Sequence, residues 1–212
     1  MSGIVLKEIR RRDDGTFLLS LEVGNEFGSE QIELVILEEL FEDITIEKGN
    51  IDSDQLDALD KMAETTAAYR SALSSLGFVQ SSHKALYRKL IAKGHSKQAC
   101  EGAIELVREK GYINESSLAQ RRAELMVEKH KGKSRIISKL YEEGFSEDAL
   151  EDVKEYLLEV DFSASCAETI RRKYGEVPTD RREKEKMYAS LMRAGFSGAE
   201  IKSALSDIAE NG

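Results

Sequence analysis

The chain has 212 residues, enough to bury one or two hydrophobic cores, and one third of them are charged. A single Pro, no Trp and plentiful Ala, Leu, Glu and Lys favour helix over sheet and predict a mainly α protein. No apolar run approaches the length of a membrane span and the N-terminus lacks the apolar core of a signal peptide, so we predict a cytoplasmic protein with no membrane contact.

The net charge of −9 is unevenly distributed along the chain. Residues 1–64 hold 6 Lys or Arg and 17 Asp or Glu, a net charge of −11, whereas residues 65–212 hold 25 and 23, a net charge of +2. Such asymmetry indicates two regions with different partners. It argues against tight, autonomous DNA binding by the whole molecule.

The first elements in chain order resemble strands. Residues 4–23 (IVLKEIRRRDDGTFLLSLEV) place apolar, β-forming residues on either side of Asp-Asp-Gly at 13–15, which predicts a β-hairpin. The stretch 29–50 fits either short strands or a helix, and the pattern does not decide between them. From Asp52 onward a helical period of apolar residues takes over and persists almost to the C-terminus.

A short motif then recurs about every fifty residues: GHS at 94–96, GFS at 144–146 and GFS again at 195–197. In the middle copy Gly144 is expected to end one helix in the left-handed conformation, and Ser146 to cap the next helix. Phe145 lies between them and is expected to contact apolar residues of both helices. The motif therefore predicts a tight helix–helix junction in each copy.

The helices around each junction define a repeat. Apolar positions align outward from the motif, as in Leu86, Ile136 and Met187, and a further helix precedes each copy, near 64–76, 115–130 and 162–174. The chain should thus contain an acidic N-terminal extension with the β-hairpin (1–62) and three three-helix repeats, which we name repeat 1 (63–112), repeat 2 (113–161) and repeat 3 (162–212). Tandem repeats of this kind are expected to stack into an elongated, curved array.

Two segments resemble a known family. Residues 86–124, with Gly111, Tyr112, Ile113, Asn114 and Glu115 in their second half, and residues 131–146 (KGKSRIISKLYEEGFS) are similar to the RecX family, regulators of the RecA recombinase built from tandem three-helix repeats. The chain departs from many relatives at Ser81-Ser82, where they carry Arg-Ser, and at Asn114, where Asp is usual. The resemblance implies a non-enzymatic regulator that lodges in the groove of the RecA–single-stranded-DNA filament and reduces ATP hydrolysis and strand exchange in recombination and DNA repair.

Basic residues of repeats 2 and 3 are the candidate partner-binding site. A basic surface along the array could contact either phosphates or an acidic protein groove, with only weak, non-specific binding to DNA itself. The candidate residues are Arg121, Arg122, Lys129, Lys131, Lys133, Arg135, Arg171, Arg172 and Lys173.

Nothing in the sequence indicates catalysis. It contains no Gly-rich phosphate loop, no HExxH and no Cys–His constellation, and its three histidines, His83, His95 and His130, are scattered singly. Cys100 and Cys166 fall at apolar helix positions and are expected to be buried thiols. We therefore predict a protein that is not an enzyme, uses no cofactor or metal, and is monomeric.

Two other functions stay open at this point. Each repeat could be a helix-turn-helix reader of DNA in a transcription regulator, although the third helices begin SKQACEGAI, SEDALEDVK and SGAEIKSAL, and those of repeats 2 and 3 are acidic or nearly neutral. The chain could also be a helical adaptor for an unrelated protein partner, with the acidic N-terminal segment as its own docking element.

Overall fold

A computed structural model of the chain describes residues 3–25, 28–42, 44–78 and 80–211. These residues form one antiparallel sheet followed by a long series of helices, which confirms the predicted mainly α class with an N-terminal β-hairpin. The strands are β1 (Ile4–Arg11), β2 (Thr16–Asn25), β3 (Gly28–Leu37) and β4 (Gly49–Ile51). The helices are α1 (Glu38–Phe41), α2 (Ser53–Phe78), α3 (His83–Ala92), α4 (Lys97–Glu109), α5 (Glu115–Glu128), α6 (Lys133–Glu143), α7 (Glu147–Tyr156), α8 (Phe162–Tyr174), α9 (Arg181–Arg193) and α10 (Gly198–Asn211).

The sheet has the strand order β3-β2-β1-β4. Strands β1 and β2 form the predicted hairpin, in which Arg11 pairs with Phe17 and Gly15 in the turn has a φ of 73°. A positive φ at this turn favours glycine, since it has no Cβ. The stretch that the pattern left undecided supplies β3, the short helix α1, and β4, whose Ile51 pairs with Ile4 of β1.

Helix α2 covers one face of this sheet. Leu59 of α2 is fully buried in a cluster with Leu6, Leu19 and Ile36 of the strands. The buried hydroxyl of Thr66 accepts a hydrogen bond from the backbone N–H of Leu37 at 2.9 Å. The acidic N-terminal segment is therefore packed against the first helix of the repeats.

Two ion pairs extend this attachment. Asp14 of the hairpin turn lies 2.7 Å from Arg70 of α2, and Glu39 of α1 lies 2.7 Å from Lys110, just after α4. The chain divides into two compact units, one comprising Met1–Gln80 with Leu86–Tyr112 and the other Ser81–Ala85 with Ile113–Gly212. We refer to these as unit 1 and unit 2; the domain boundaries after residues 62, 112 and 161 stay a prediction.

The recurring motif forms the same helix cap three times. Its glycines all have positive φ, and in each copy the N–H of the residue after the glycine donates to the carbonyl five residues before it, at 3.2 to 3.3 Å. The donors are His95, Phe145 and Phe196, and the acceptors are Leu90, Leu140 and Leu191. This 6→1 bond is the Schellman motif, so the predicted left-handed ends are confirmed.

The serine of each motif caps the following helix, as predicted. The hydroxyls of Ser96, Ser146 and Ser197 accept hydrogen bonds from backbone N–H groups three residues further on. Glu200 also accepts a hydrogen bond from the backbone N–H of Ser197 at 2.6 Å, which completes a capping box. These local bonds set the angle at which each pair of helices meets.

A close backbone contact joins repeats 2 and 3 inside unit 2. The N–H of Gly132, at the start of α6, donates to the carbonyl of Ala194 at 2.9 Å, and the Ser134 hydroxyl donates to the carbonyl of Gly195 at 2.9 Å. A Cβ on Gly132 would overlap the backbone of Gly195 and Phe196. Ser82 occupies the position equivalent to Gly132, and its side-chain hydroxyl, not its backbone N–H, donates to the equivalent acceptor, the Glu143 carbonyl, at 2.8 Å.

Candidate functional site

The candidate basic residues come from three places in unit 2. Arg121 and Arg122 lie on α5; Lys129 and Lys131 lie in the turn that follows it, and Lys133 and Arg135 lie on the first turn of α6; Arg171, Arg172 and Lys173 lie at the C-terminal end of α8. Cations near a helix C-terminus interact favourably with its dipole, which accounts locally for the last group. Their arrangement in space decides which of them act together.

Four of the nine surround one surface depression with a volume of about 420 Å³, which we call the basic depression. It is bounded by the turn after α5, by α8 and by α9. Its lining residues are Lys129, His130, Lys131, Thr169, Arg172, Lys173, Ser190, Leu191 and Ala194. The structure thus brings basic residues of repeat 2 and repeat 3 together, although they are some forty residues apart in the chain.

The backbone of the turn after α5 holds Lys129 and Lys131 at the rim of the depression. His130 has a φ of 50°, the one positive value among the non-glycine residues that the structure describes. The N–H of Lys131 donates back to the carbonyl of Met126 at 3.0 Å, so the turn is closed in the same manner as the caps of the repeats. The hydroxyl of Thr169 on α8 donates to the carbonyl of Ser165 at 2.9 Å and lies 3.4 Å from the carbonyl of His130, on the other side of the depression.

Few acidic groups offset the positive charge of the basic depression. Arg172 forms an ion pair with Glu168 at 2.8 Å, one turn earlier on the exposed face of α8. Within the described part of the chain, no salt bridge joins Lys129, Lys131 or Lys173 to a carboxylate. The ammonium of Lys173 instead donates to the Ser190 hydroxyl at 2.6 Å and lies 5.4 Å from the centre of the Tyr174 ring.

The positive charges of the basic depression repel one another, and an anion bound among them would relieve that repulsion. Like charges gathered in a concave surface raise the local positive potential, which concentrates negative ligands there. The Ser190 hydroxyl accepts from Lys173 and can donate its own proton to an oxygen of a phosphate, whereas the Thr169 proton is donated to the carbonyl of Ser165. The arrangement can bind a negatively charged partner.

The other five predicted residues lie outside the basic depression. Arg122 is half-buried: its guanidinium bonds to the carboxylate of Glu143 and lies 5.7 Å from the centre of the Phe145 ring. Arg171 lies 3.9 Å from Glu168 and lines a separate, mostly apolar cavity of about 720 Å³ between α8, α9 and α10. The remaining three, Arg121, Lys133 and Arg135, do not line the depression.

The sequence pattern reveals neither the hydroxyls of the depression nor the reason that the two basic clusters meet. Thr169 and Ser190 belong to no motif, and their role follows only from the packing of α8 against α9 and the turn after α5. The bond from Gly132 to Ala194 brings that turn to the end of α9. The paired glycines 132 and 195 were the available signal, since glycine often marks a close approach of two backbones.

Other chemistry-bearing residues have structural explanations. Cys100 and Cys166 are free and fully buried, as predicted, and burial, together with the charge of Glu200, raises the pKa of Cys166 to about 11. Among the residues that the structure describes, no cluster of His, Cys, Asp and Glu is arranged to hold a metal ion. No helix in the same residues is both long enough and apolar enough to span a membrane.

Known proteins match this chain in sequence and in fold. The domain family described as "RecX, third three-helix domain" matches residues 159–205. The regulatory protein RecX of Chlorobium phaeobacteroides (strain BS1) is 27% identical in an alignment of 151 residues that covers 69% of this chain and 98% of that protein. RecX of Xanthomonas axonopodis pv. citri (strain 306) is 28% identical over 145 residues, covering 68% of this chain and 88% of that protein.

Residues 159–205 thus match the third three-helix domain of the RecX family, and the chain is similar to RecX proteins over about two thirds of its length. A crystal structure of a regulatory protein RecX aligns with 98% of this chain and 100% of its own, with a TM-score of 0.70 and 19% identity. The structure of RecX from Lactobacillus salivarius aligns with 69% of this chain and 97% of its own, with a TM-score of 0.58 and 22% identity. At these identities the two structures establish the shared fold, and the first includes a counterpart of nearly the whole chain.

Proposed function

We propose that the chain is a non-enzymatic, monomeric cytoplasmic regulator that binds the RecA–single-stranded-DNA filament and lowers its ATPase and strand-exchange activities. Similarity to regulatory proteins named RecX supports a regulatory role. The link to RecA, recombination and DNA repair is what the RecX name implies. Repeats suit such a target, because several weak contacts to one filament add through effective concentration.

The basic depression is the observation that carries the filament proposal. A RecA–DNA filament is a polyanion, and the depression gathers four cations, three of them without a carboxylate partner in the described residues. Lysine ammonium groups and the neighbouring Ser190 hydroxyl are donors that suit phosphate oxygens. The one arginine of the depression already directs its Nε to Glu168.

The helix-turn-helix alternative has less support. A DNA-reading helix presents Arg, Asn, Gln or Lys near its N-terminus to the major groove. In repeat 2 the corresponding helix, α7, begins with Glu147 and Asp148, and the Ser146 side chain accepts the N–H of Ala149. Carboxylates at this end would repel phosphate, so we propose no transcriptional role.

The test is RecA's single-stranded-DNA-dependent ATPase, titrated with this protein and with two charge-reversed variants. The first carries Lys129→Glu and Lys131→Glu in the basic depression. The matched control carries Arg182→Glu and Lys186→Glu, two exposed residues of α9 outside the depression, and so has the same net charge. Arg122 is left intact, since its bond to Glu143 makes it part of the fold.

We expect inhibition by the native protein and by the control, with the half-inhibiting concentration raised about tenfold or more for the depression variant. Unchanged ATPase activity at saturating native protein would contradict the proposed function. Equal inhibition by both variants would keep the function but exclude the basic depression as the contact. Circular dichroism of both variants checks that each is folded.

A further inference from the structure

We propose that the groove between α6 and α7 is a docking site for a protein segment that carries an apolar side chain flanked by lysines or arginines. This groove, the Tyr141 groove, has a volume of about 530 Å³. Its lining residues are Ile137, Ser138, Tyr141, Glu142, Glu147, Leu150, Glu151 and Lys154. It lies in unit 2 and shares no lining residue with the basic depression.

The floor of the Tyr141 groove is apolar. Leu150 is 5% exposed and belongs to the core of unit 2, and Ile137 packs against the same core. Tyr141 lies beside them and is 70% exposed, the most exposed of the large aromatic side chains that the structure describes. Tyrosines of this kind, next to a small apolar pocket, are the side chains that contribute most to protein–protein contacts.

The rim of the groove is acidic. Three of the residues that line the groove are glutamates, Glu142, Glu147 and Glu151, and one is a lysine, Lys154, which pairs with Glu151 at 2.7 Å. Lys139 lies 3.9 Å from Glu142, and within the described residues Glu147 forms no salt bridge. Glu147 stabilises the N-terminus of α7 through the helix dipole, but Glu142 and Glu151 lie outside that first turn.

The equivalent positions of the other repeats show that the acidic residues of the groove are not required for the three-helix fold. At the positions of Glu142, Glu147 and Glu151, repeat 1 has Ala92, Lys97 and Glu101, and repeat 3 has Arg193, Gly198 and Lys202. The three-helix fold therefore forms with neutral or basic residues at these positions. The three carboxylates together are particular to repeat 2.

The apolar residue beside the rim recurs. Tyr141 has counterparts in Ile91 and Met192, which are 38% and 47% exposed. Each repeat thus presents one large apolar side chain at the same position of its second helix. Repeat 2 alone combines that residue with an acidic rim.

Charge complementarity identifies the occupant. Three carboxylates around an apolar floor repel nucleic acid and acidic segments and attract a segment in which Lys or Arg flank a Leu, Met or aromatic residue. The inference goes beyond the proposed function, because it requires neither RecA nor DNA. It also predicts that the protein presents two contact sites of opposite charge.

The experiment measures binding of two synthetic peptides to the full chain by isothermal titration calorimetry. Both peptides form an amphipathic helix with the same Leu and Phe face; one has Lys at every flanking position and the other has Glu. The protein variants are Tyr141→Ala, the double variant Glu142→Lys with Glu151→Lys, and the matched control Met192→Ala at the equivalent position of repeat 3. Since Tyr141 is exposed, its truncation leaves the core intact.

We expect the Lys peptide to bind the native chain and the Met192→Ala control, and to bind both groove variants about tenfold more weakly or worse. The Glu peptide should not bind the native chain. Equal binding of the two peptides, or unchanged binding by Tyr141→Ala, would overturn the proposal. The proposal would also be overturned if sedimentation showed that the native chain dimerises and that Tyr141→Ala is monomeric, because the occupant of the groove would then be a second copy of the chain.

Discussion

Glu115, at the residue scale, is a carboxylate that holds together segments distant in the chain. Its Oε1 accepts the backbone N–H of His83 at 2.6 Å and its Oε2 accepts that of Ser146 at 3.1 Å, while the His83 ring Nδ1 lies 3.2 Å from Oε1. Burial acts to raise the pKa of Glu115, but the hydrogen bonds from His83 and Ser146 outweigh it and lower the pKa to about 2. The Asn114 cap beside it starts the same helix.

Replacement of Glu115 by Gln should therefore destabilise the protein in a pH-dependent way. We expect a loss of about 1–3 kcal/mol at pH 7, the usual cost of disturbing a buried, charged hydrogen-bond acceptor. Because the folded-state pKa lies below the unfolded value of 4.5, the charged carboxylate stabilises fully above pH 4.5 and progressively less as the pH falls toward 2. Urea denaturation at pH 7 and pH 3 should show the difference between native and variant chains narrowing at pH 3.

The control for this prediction is Glu155→Gln, which removes an exposed carboxylate from α7. It should change stability little at either pH, because an exposed glutamate is solvated equally well in both states. If the native chain and Glu115→Gln differed in stability by the same amount at pH 7 and pH 3, the result would contradict the assigned role of the carboxylate charge.

At the scale of elements, the contact between repeats 2 and 3 depends on the absence of a side chain at one position. Gly132→Ala would place a Cβ against the backbone of Gly195, and neither backbone can yield without breaking the bonds from Gly132 and Ser134. Overpacking of this kind costs about 1–3 kcal/mol. Thermal unfolding should show that loss as a lower Tm.

The matched control is Gly77→Ala, near the end of α2, where a Cβ would have no atom within 4 Å. Alanine favours helix over glycine by about 1 kcal/mol, so this variant should be as stable as the native chain or more stable. Equal Tm values for the two alanine variants would show that the loop between α5 and α6 adjusts freely, and would contradict a tight contact between Gly132 and Gly195.

The same elements show what the sequence could predict. Helix caps around Gly144 and Ser146 were predictable because each bond joins residues within six positions of one another, and glycine and serine have strong local preferences there. The pairing of Ile4 with Ile51 could not be predicted, because a strand of three residues is too short to show a recognisable hydrophobic pattern. The meeting of Lys131 with Lys173 likewise depends on how helices pack, which no local preference encodes.

At the scale of the whole molecule, the N-terminal sheet and the first repeat share one compact unit. A fragment of residues 63–212 would keep α4 but lose the sheet and the first ten residues of α2, including the fully buried Leu59. Each such leucine contributes about 1.5–3 kcal/mol through burial, so the remainder of unit 1 should be strongly destabilised. Unit 2 keeps its own core.

Hydrogen exchange measured by mass spectrometry on the full chain and on the fragment checks this expectation. Amides of α4 should exchange much faster in the fragment, whereas those of α6 and α7 in unit 2, measured in the same sample, should retain their protection. Unchanged protection of α4 would mean that repeat 1 folds without the sheet, and would support a domain boundary after residue 62.

The whole-molecule charge distribution leads to a last prediction, which distinguishes a phosphate partner from an acidic protein partner. Residues 1–64 carry −11, so binding of a polyanion falls to the cations of the remainder of the chain. If the basic depression binds backbone phosphates of single-stranded DNA within the filament, each contact releases condensed counterions, and log affinity falls with log salt by about 0.7 per phosphate. Changing Lys129 and Lys131 to Ala should then reduce the slope by about 1.4.

Fluorescence anisotropy of a RecA filament on labelled single-stranded DNA, titrated over a series of salt concentrations, measures this slope. Arg182→Ala with Lys186→Ala, outside the depression, should retain the native slope. Carboxylates of a protein surface hold no condensed counterions. If the basic depression binds such carboxylates, the Lys129 and Lys131 variant should bind more weakly but show the same salt slope as the native chain. The change in the salt slope on replacing Lys129 and Lys131 therefore distinguishes a phosphate partner from an acidic protein partner at the basic depression.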